Sequence, residues 1–273
     1  MISVAIIGQG LWGYKLTQSL NKHRADFQVD VLSAREVLSE PPLKKYDVIW
    51  IASRPNEQVR VLELSVSKSK VIILEKPICE KIEDFARVEK ILALEELSFG
   101  LSRPWCFSSA WLNATEILKS WEWGGSSVKF RRKGPASHTY ITPVEDWIPH
   151  DIYLASDLFP TFEDDFAVEY FRSNPNVFEL SLYSRNETRI NFSFLENTSK
   201  ESTIEVASPS GELFVNLGEN VILLNGKRIE VASPNNYDSI CRNLYAAING
   251  DNRRTRQLVG TQKWIKTLIE QAK

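Results

Sequence analysis

The 273-residue sequence predicts an α/β domain built on a parallel sheet, followed by an α+β domain with a mostly antiparallel open sheet. Three observations carry that expectation. Up to residue 101, short β-branched runs alternate with amphipathic helical stretches, the order of a sheet covered by helices. From residue 102 onward strand-like runs dominate, with helical stretches flanking them. Asn225-Gly226, set between the runs 221–224 and 227–231, reads as a two-residue hairpin turn because both positions tolerate positive φ.

In the first domain, 1–101, strands are expected at 3–7, 27–32, 48–52, 70–74 and 97–101, with helices at 14–23, 56–67 and 82–94. The interval 33–47 is short and leaves little room for another helix. In the second domain, 102–273, strands are expected at 127–132, 166–171, 177–184, 188–195, 203–207, 212–217 and 221–224. Helices are expected at 108–120, 151–158, 236–248 and 255–272.

Composition narrows the function classes. Hydrophobic residues make up 43% of the chain, enough for a large core, and 33 Lys plus Arg nearly balance 35 Asp plus Glu. Such a balance offers no field to gather nucleic acid or an acidic membrane. The cluster Arg131-Arg132-Lys133 reads as decoration of a strand end. Cys79, Cys106 and Cys241 are odd in number and widely scattered, which suits neither a disulfide framework nor a metal site. With no signal-like start and no membrane-length apolar run, a cytoplasmic protein is expected.

The most informative motif is Gly8-Gln9-Gly10-Leu11-Trp12-Gly13, directly behind the apolar run Val4-Ala5-Ile6-Ile7. In a strand-to-helix turn of this kind, backbone N–H groups and the helix dipole converge on a pyrophosphate, as in a Rossmann dinucleotide site. Gly8 permits the turn, Gly10 admits the phosphate, and Gly13 lets helix and strand pack closely. At the end of the second strand, where such sites often place a carboxylate for the ribose, this chain has Ser33-Ala34-Arg35. A hydroxyl and a guanidinium favour a 2′-phosphate, so NADP is expected, with NAD the alternative. Asp30 lies close in sequence, and alternation alone does not decide whether it reaches the ribose.

Two further motifs supply chemistry. Glu75-Lys76-Pro77 follows the apolar run 71–74 and puts a cation at the ligand-binding edge of the sheet. Asp146 and His150 are four residues apart near a helix entrance; Pro149 is expected in the first turn, with Asp146 just before the helix and His150 at its start. A carboxylate there can orient an imidazole, whose reference pKa of about 6.5 suits proton exchange with a hydroxyl.

Taken in order, these three motifs resemble the Gfo/Idh/MocA oxidoreductases, and the resemblance spans nearly the whole chain. It implies a Rossmann domain followed by a domain whose open sheet forms a homodimer or homotetramer interface. It also implies NAD(P)-dependent hydride transfer to or from a hydroxyl or keto carbon of a sugar, nucleotide-sugar or polyol. Lys76 would hold the substrate oxygen and nicotinamide ribose, His150 would act as acid/base, and Asp146 would orient substrate and histidine. Gly8, Gly10, Leu11, Trp12, Gly13, Ser33, Arg35, Ser53, Arg54, Asn56, Glu75 and Lys76 form the expected cofactor set, and Leu11-Trp12-Gly13 leans toward members acting on nucleotide-linked sugars. Arg103, Tyr140 and Trp147 are expected substrate contacts, His138 lies near them, and Trp105, Trp111, Trp121 and Trp123 read as domain packing. Where the family has glycine between its aspartate and histidine, this chain has Ile148 and then Pro149, so a different local backbone is expected. Two rivals remain open at this point: a binding protein without turnover on the same scaffold, and an imine or tetrapyrrole reductase.

Overall fold

The computed structural model describes residues 1–40, 44–94, 97–135, 141–159, 162–174, 176–233, 237–250 and 252–271. It divides into two units, Met1–Pro104 with Tyr237–Trp264, and Trp105–Asn236 with Ile265–Lys273.

The first unit runs β1 (Ile2–Ile7), α1 (Leu11–Asn21), β2 (Phe27–Leu32), α2 (Ala34–Ser39), β3 (Tyr46–Ile51), α3 (Pro55–Ser65), β4 (Ser69–Leu74), α4 (Phe85–Leu92) and β5 (Ser98–Leu101). The strands pair in parallel in the order β2-β1-β3-β4-β5. Helices cover such a sheet on both faces, which is why the strand interiors Val4–Ile7, Val48–Ile51 and Ile72–Ile73 are uninterrupted apolar runs and wholly buried. The strand order reverses at β1, so the loops after β1 and β3 flank the crevice where open α/β sheets take their ligands. Although the interval after residue 33 is short, α2 forms there. Ser33 Oγ accepts from Glu36 N at 3.1 Å and Ser33 N donates to the Glu36 carboxylate at 2.8 Å, a reciprocal cap that starts this six-residue helix.

In the second unit, α5 (Ser109–Leu118), β6 (Ser127–Gly134), α6 (Pro143–Leu158) and α7 (Phe162–Asp165) precede β7 (Phe166–Asn174), β8 (Val177–Ser184), β9 (Arg189–Glu196), β10 (Glu201–Ser208), β11 (Gly211–Asn216), β12 (Val221–Leu224) and β13 (Lys227–Ile229). The sheet order is β13-β12-β11-β10-β6-β9-β8-β7, and of these pairings β6/β9 alone is parallel. Alternation separates its faces: Val128, Phe130, Phe178, Leu180, Phe192 and Phe194 are buried, whereas Arg131–Glu205 and Lys133–Glu201 form ion pairs on the other side. Arg132 therefore does not decorate the strand end with its neighbours; the pleat turns it into the buried face. Asn225 and Gly226 both have positive φ, 49° and 76°, as the hairpin requires.

The chain closes with α8 (Ser239–Ile248) and α9 (Asn252–Gln271). A single division at residue 101 would place both in the second domain, but residues 237–264 pack with the parallel sheet. The reason is apolar: Cys241, Leu244 and Ala247 complete the core that holds Val4, Ile6, Leu16, Leu20, Trp50 and Ile73. Polar anchors fix the seat. Asn243 accepts from Arg103 N at 2.6 Å and donates to Leu101 O at 3.0 Å, and Asp238 caps α8 while accepting from Ser19 Oγ.

Candidate functional site

The glycine cradle follows from where β1 ends. Ladder hydrogen bonds continue one residue past four strand ends, from Gly8 N to Leu32 O, Ala52 N to Ile7 O, Glu75 N to Ile51 O and Ser102 N to Leu74 O, at 2.8–3.0 Å. These bonds hold the loops at one edge of the sheet. Gly8 has φ +142°, and a Cβ there would lie 2.2 Å from Ala52 O; a Cβ on Gly13 would lie 1.9 Å from Gly8 O. Both positions are closed to any larger residue by backbone.

Gly10 is different. A Cβ there meets nothing within 4 Å, and as the N-cap of α1 it supplies no side-chain acceptor. The first helical hydrogen bond to it comes from Tyr14 N at 3.0 Å, so the N–H groups of Leu11, Trp12 and Gly13 have no acceptor within the helix. Open space before uncapped N–H groups at the positive end of a helix dipole is what an oligophosphate needs. Leu11 is exposed at the rim.

At the end of β2, the oxygen of Ser33 caps α2 and Arg35 is exposed on its first turn. Asp30 is engaged elsewhere, accepting from Lys44 Nζ at 2.8 Å, which holds its carboxyl below the ordinary range despite partial burial. Glu36 folds back on Ser33 N, and that backbone bond lowers its pKa. After β3, Ser53 precedes Arg54, the N-cap of α3, with Pro55 at the first helical position and Asn56 exposed.

Glu75 is 6% exposed and accepts from the indole nitrogens of Trp12 and of Trp50, the latter at 3.1 Å. Burial pushes its carboxyl above the ordinary value, opposed by the Ser102 hydroxyl, the Lys76 charge and the two indoles. It thus reaches the cradle through Trp12. Gln58, 1% exposed, donates to the carbonyls of Glu75, Pro77 and Ile78 at 2.8–3.0 Å and clamps the turn that carries Lys76, where the Lys76–Pro77 peptide is cis. Neither Trp50 nor Gln58 forms part of a local motif, so no sequence spacing marks either as a partner of this turn.

In the second unit the helix carrying Asp146 and His150 starts earlier than its sequence suggested. Pro143 is the first helical residue and Thr142 the N-cap, in a reciprocal cap with Glu145. Lys266 Nζ reaches Glu145 Oε1 at 2.6 Å. Burial would raise the Glu145 pKa, but Lys266 and Thr142 outweigh it and hold it low. Asp146 and His150 therefore lie one turn apart inside α6, buried to 3% and 6% exposure. Pro149 is an interior proline, and the backbone stays helical through Ile148 instead of diverging. The signal that locates this start is Thr142-Pro143-Val144-Glu145, a capping box with proline at its first helical position.

Around His150 stand two indoles. Trp105 packs edge-on at 6.4 Å between ring centroids and Trp147 tilts at 6.2 Å. Trp147 Nε1 donates to Pro135 O at 3.3 Å, and its ring lies over Gly134, where a Cβ would come within 3.0 Å. Trp111 is buried and bonded to Asp157, and Trp123 packs edge-on against Phe159. Arg103 is held through its backbone N–H by Asn243. The expected contact Tyr140, with His138, lies outside the described residues. No cluster of ligands for a metal occurs among the described residues. A groove of 1460 Å³ opens at the amino-terminal ends of β1, β3 and β4, lined by Ser3, Tyr46, Asp47 and Ser69, at the far edge of the sheet from the cradle.

No protein-family model and no curated protein sequence matches the chain. Solved structures do. UDP-N-acetylglucosamine 3-dehydrogenase GnnA from Acidithiobacillus ferrooxidans superposes with a TM-score of 0.77 at 14% identity, covering 99% of this chain and 98% of that one. Aldose-aldose oxidoreductase from Caulobacter crescentus gives 0.75 at 11% identity, covering 100% and 98%. An oxidoreductase from Desulfitobacterium hafniense described as NADPH-dependent gives 0.74 at 13% identity, covering 96% and 93%. At such identities the likeness is one of fold, and over its whole length the chain has the two-part fold of these Gfo/Idh/MocA-type oxidoreductases.

Proposed function

We propose that the chain is an NAD(P)-dependent oxidoreductase that moves a hydride to or from a hydroxyl or keto carbon of a sugar, nucleotide-sugar or polyol. The observation that carries the reading is the uncapped start of α1, with open space at Gly10 beside the strand-order reversal. Gly8, Gly10 and Gly13 shape the pyrophosphate seat, and the N–H groups of Leu11 to Gly13 donate into it. The cofactor supplies a hydride acceptor or donor. In the oxidising direction the carbinol carbon gives up its hydride while His150 takes the hydroxyl proton; in the reducing direction His150 returns it. Lys76 steadies the negative charge that develops on oxygen, and Asp146 orients the imidazole.

NADP is the favoured dinucleotide. Asp30 is paired with Lys44 and Glu36 is drawn into the α2 cap, while the exposed Arg35 offers a guanidinium for a 2′-phosphate. Sugar-type substrates accord with the names of two similar structures, a UDP-N-acetylglucosamine dehydrogenase and an aldose-aldose oxidoreductase.

The same reading includes self-association through the second unit's sheet, supported by exposed Val168, Tyr170, Tyr183 and Leu195 on β7, β8 and β9. It includes a cytoplasmic location, in keeping with three buried free thiols. None of the helices among the described residues is long and apolar enough to cross a membrane.

The test follows nicotinamide absorbance with NADP and NAD, oxidised and reduced, against a panel of sugars, nucleotide-sugars and polyols. Turnover is expected with at least one hydroxylated substrate. Cofactor that binds and is never oxidised or reduced would refute the enzyme and leave a binding protein. His150→Ala should lower turnover by about 10²–10⁴-fold with cofactor affinity nearly unchanged.

A further inference from the structure

The second unit buries an ion pair that none of the proposed chemistry uses. Arg132 on β6 and Asp151 on α6 have side chains 0% and 4% exposed. Arg132 Nε lies 3.1 Å from both carboxylate oxygens and Nη2 lies 2.5 Å from Oδ1. A buried pair of this kind is a poor source of stability, because desolvation of both charges offsets much of their attraction. Burial indeed pushes the Asp151 carboxyl up, against the pull of Arg132.

Its position points to another use. Asp151 is the residue after His150, so fixing its carboxylate in the guanidinium fork fixes the rotation of α6 at that turn. That turn needs holding: Pro149 has no N–H to give to the carbonyl of Glu145, and the helical ladder lacks a bond one residue before His150. The guanidinium also lies 5.5 Å from the ring centres of both Trp105 and Trp147, the indoles that flank the His150 imidazole. Arg132 Nη1 is buried and makes no hydrogen bond, while the guanidinium carbon lies over both rings.

We propose that Arg132 and Asp151 are positioning residues for His150, locking the helix turn that carries it and setting the two indole walls that confine its ring. This rests on the reading of His150 as the acid/base group.

The experiment uses the full chain labelled at histidine and reads the imidazole C–H resonances by NMR. Only three histidines are present, and His150 is assigned by the signal lost in His150→Ala. In the wild type, ring currents from Trp105 and Trp147 displace this signal from the position of an exposed histidine. The double variant Arg132→Met/Asp151→Leu removes both charges together, a change that buried pairs tolerate in stability. The displaced signal should move back toward the exposed position, and turnover should fall at least about tenfold with the cofactor KM unchanged. Should the double variant not fold, Arg132→Lys keeps the charge and loses the fork, and a displacement between the wild-type and exposed values is expected. A His150 signal that keeps its wild-type displacement in the folded variant overturns the proposal. A wild type with no turnover on any substrate, together with a signal that nonetheless moves in the variant, defeats the enzyme reading and leaves the positioning intact.

Discussion

The indole nitrogen of Trp12, in the first turn behind the glycine cradle, donates to the carboxyl of Glu75, the residue immediately before Lys76. One buried group thereby ties the glycine turn to the turn that carries Lys76. Trp50, on the strand between them, donates to the same oxygen, so the carboxyl is fixed from two sides.

Its environment sets a pH dependence. Burial raises the folded-state pKa of Glu75 above its ordinary value of 4.5, so its contribution to stability is complete below that value and is lost as pH rises through the raised one. Glu75→Gln keeps an acceptor and cannot ionise. Urea unfolding of both proteins between about pH 4 and about pH 8 should show the variant gaining on the wild type as pH rises. Parallel curves would show that Glu75 does not titrate differently on folding.

The cradle glycines should separate stability from binding. Gly13→Ala drives a methyl into Gly8 O and should cost about 1–3 kcal/mol of stability. Gly10→Ala meets no protein atom and should cost no more than about 1 kcal/mol, while dinucleotide affinity falls at least about tenfold as the methyl enters the phosphate space. Thermal unfolding and a binding isotherm on each variant decide the matter; unchanged affinity in Gly10→Ala would move the phosphate elsewhere.

Arg35 should govern the choice between dinucleotides. If Arg35 is the partner of the 2′-phosphate, as proposed, Arg35→Asp removes that charge and offers the ribose a carboxylate, so NADP affinity should drop about 10–100-fold while NAD affinity holds or improves. The ratio of the two dissociation constants reports this directly, and a ratio equal to that of the wild type would assign the discrimination to another residue.

The start of α6 should be sensitive to acid. Because Lys266 and Thr142 hold the Glu145 pKa below 4.5, its contribution to stability is present above that value and is lost as pH falls through the lowered one. Thr142→Ala should cost about 1 kcal/mol near neutrality, and Lys266→Met should flatten the acid limb of the stability curve. An acid limb of wild-type slope in Lys266→Met would place the linkage in other carboxylates.

What could be read in the sequence was what is local. The cradle, the Glu75-Lys76-Pro77 turn and the Asn225-Gly226 hairpin each depend on neighbouring residues, and the strand runs stood out because buried parallel strands are uniformly apolar. The start of α6 was also written locally, in Thr142 and Glu145, but Pro149 is the stronger signal for a helix entrance and displaced the reading by two turns. Trp50, Gln58 and Arg132 bond to partners 17 to 25 residues away, and no spacing rule marks such pairs. The amphipathic pattern of α8 shows that it buries a face, and its packing on the parallel sheet depends on side chains more than a hundred residues distant.

Hydride transfer between a nicotinamide ring and a substrate carbon is the activity proposed for this chain. The most direct measurement gives the purified protein reduced cofactor deuterated at nicotinamide C4, with keto sugars and keto nucleotide-sugars, and examines the product by mass spectrometry and NMR. Deuterium bound to the carbon that becomes the carbinol is the predicted result. Consumption of the cofactor with no deuterium on that carbon would contradict it, as would labelled cofactor recovered intact from every substrate.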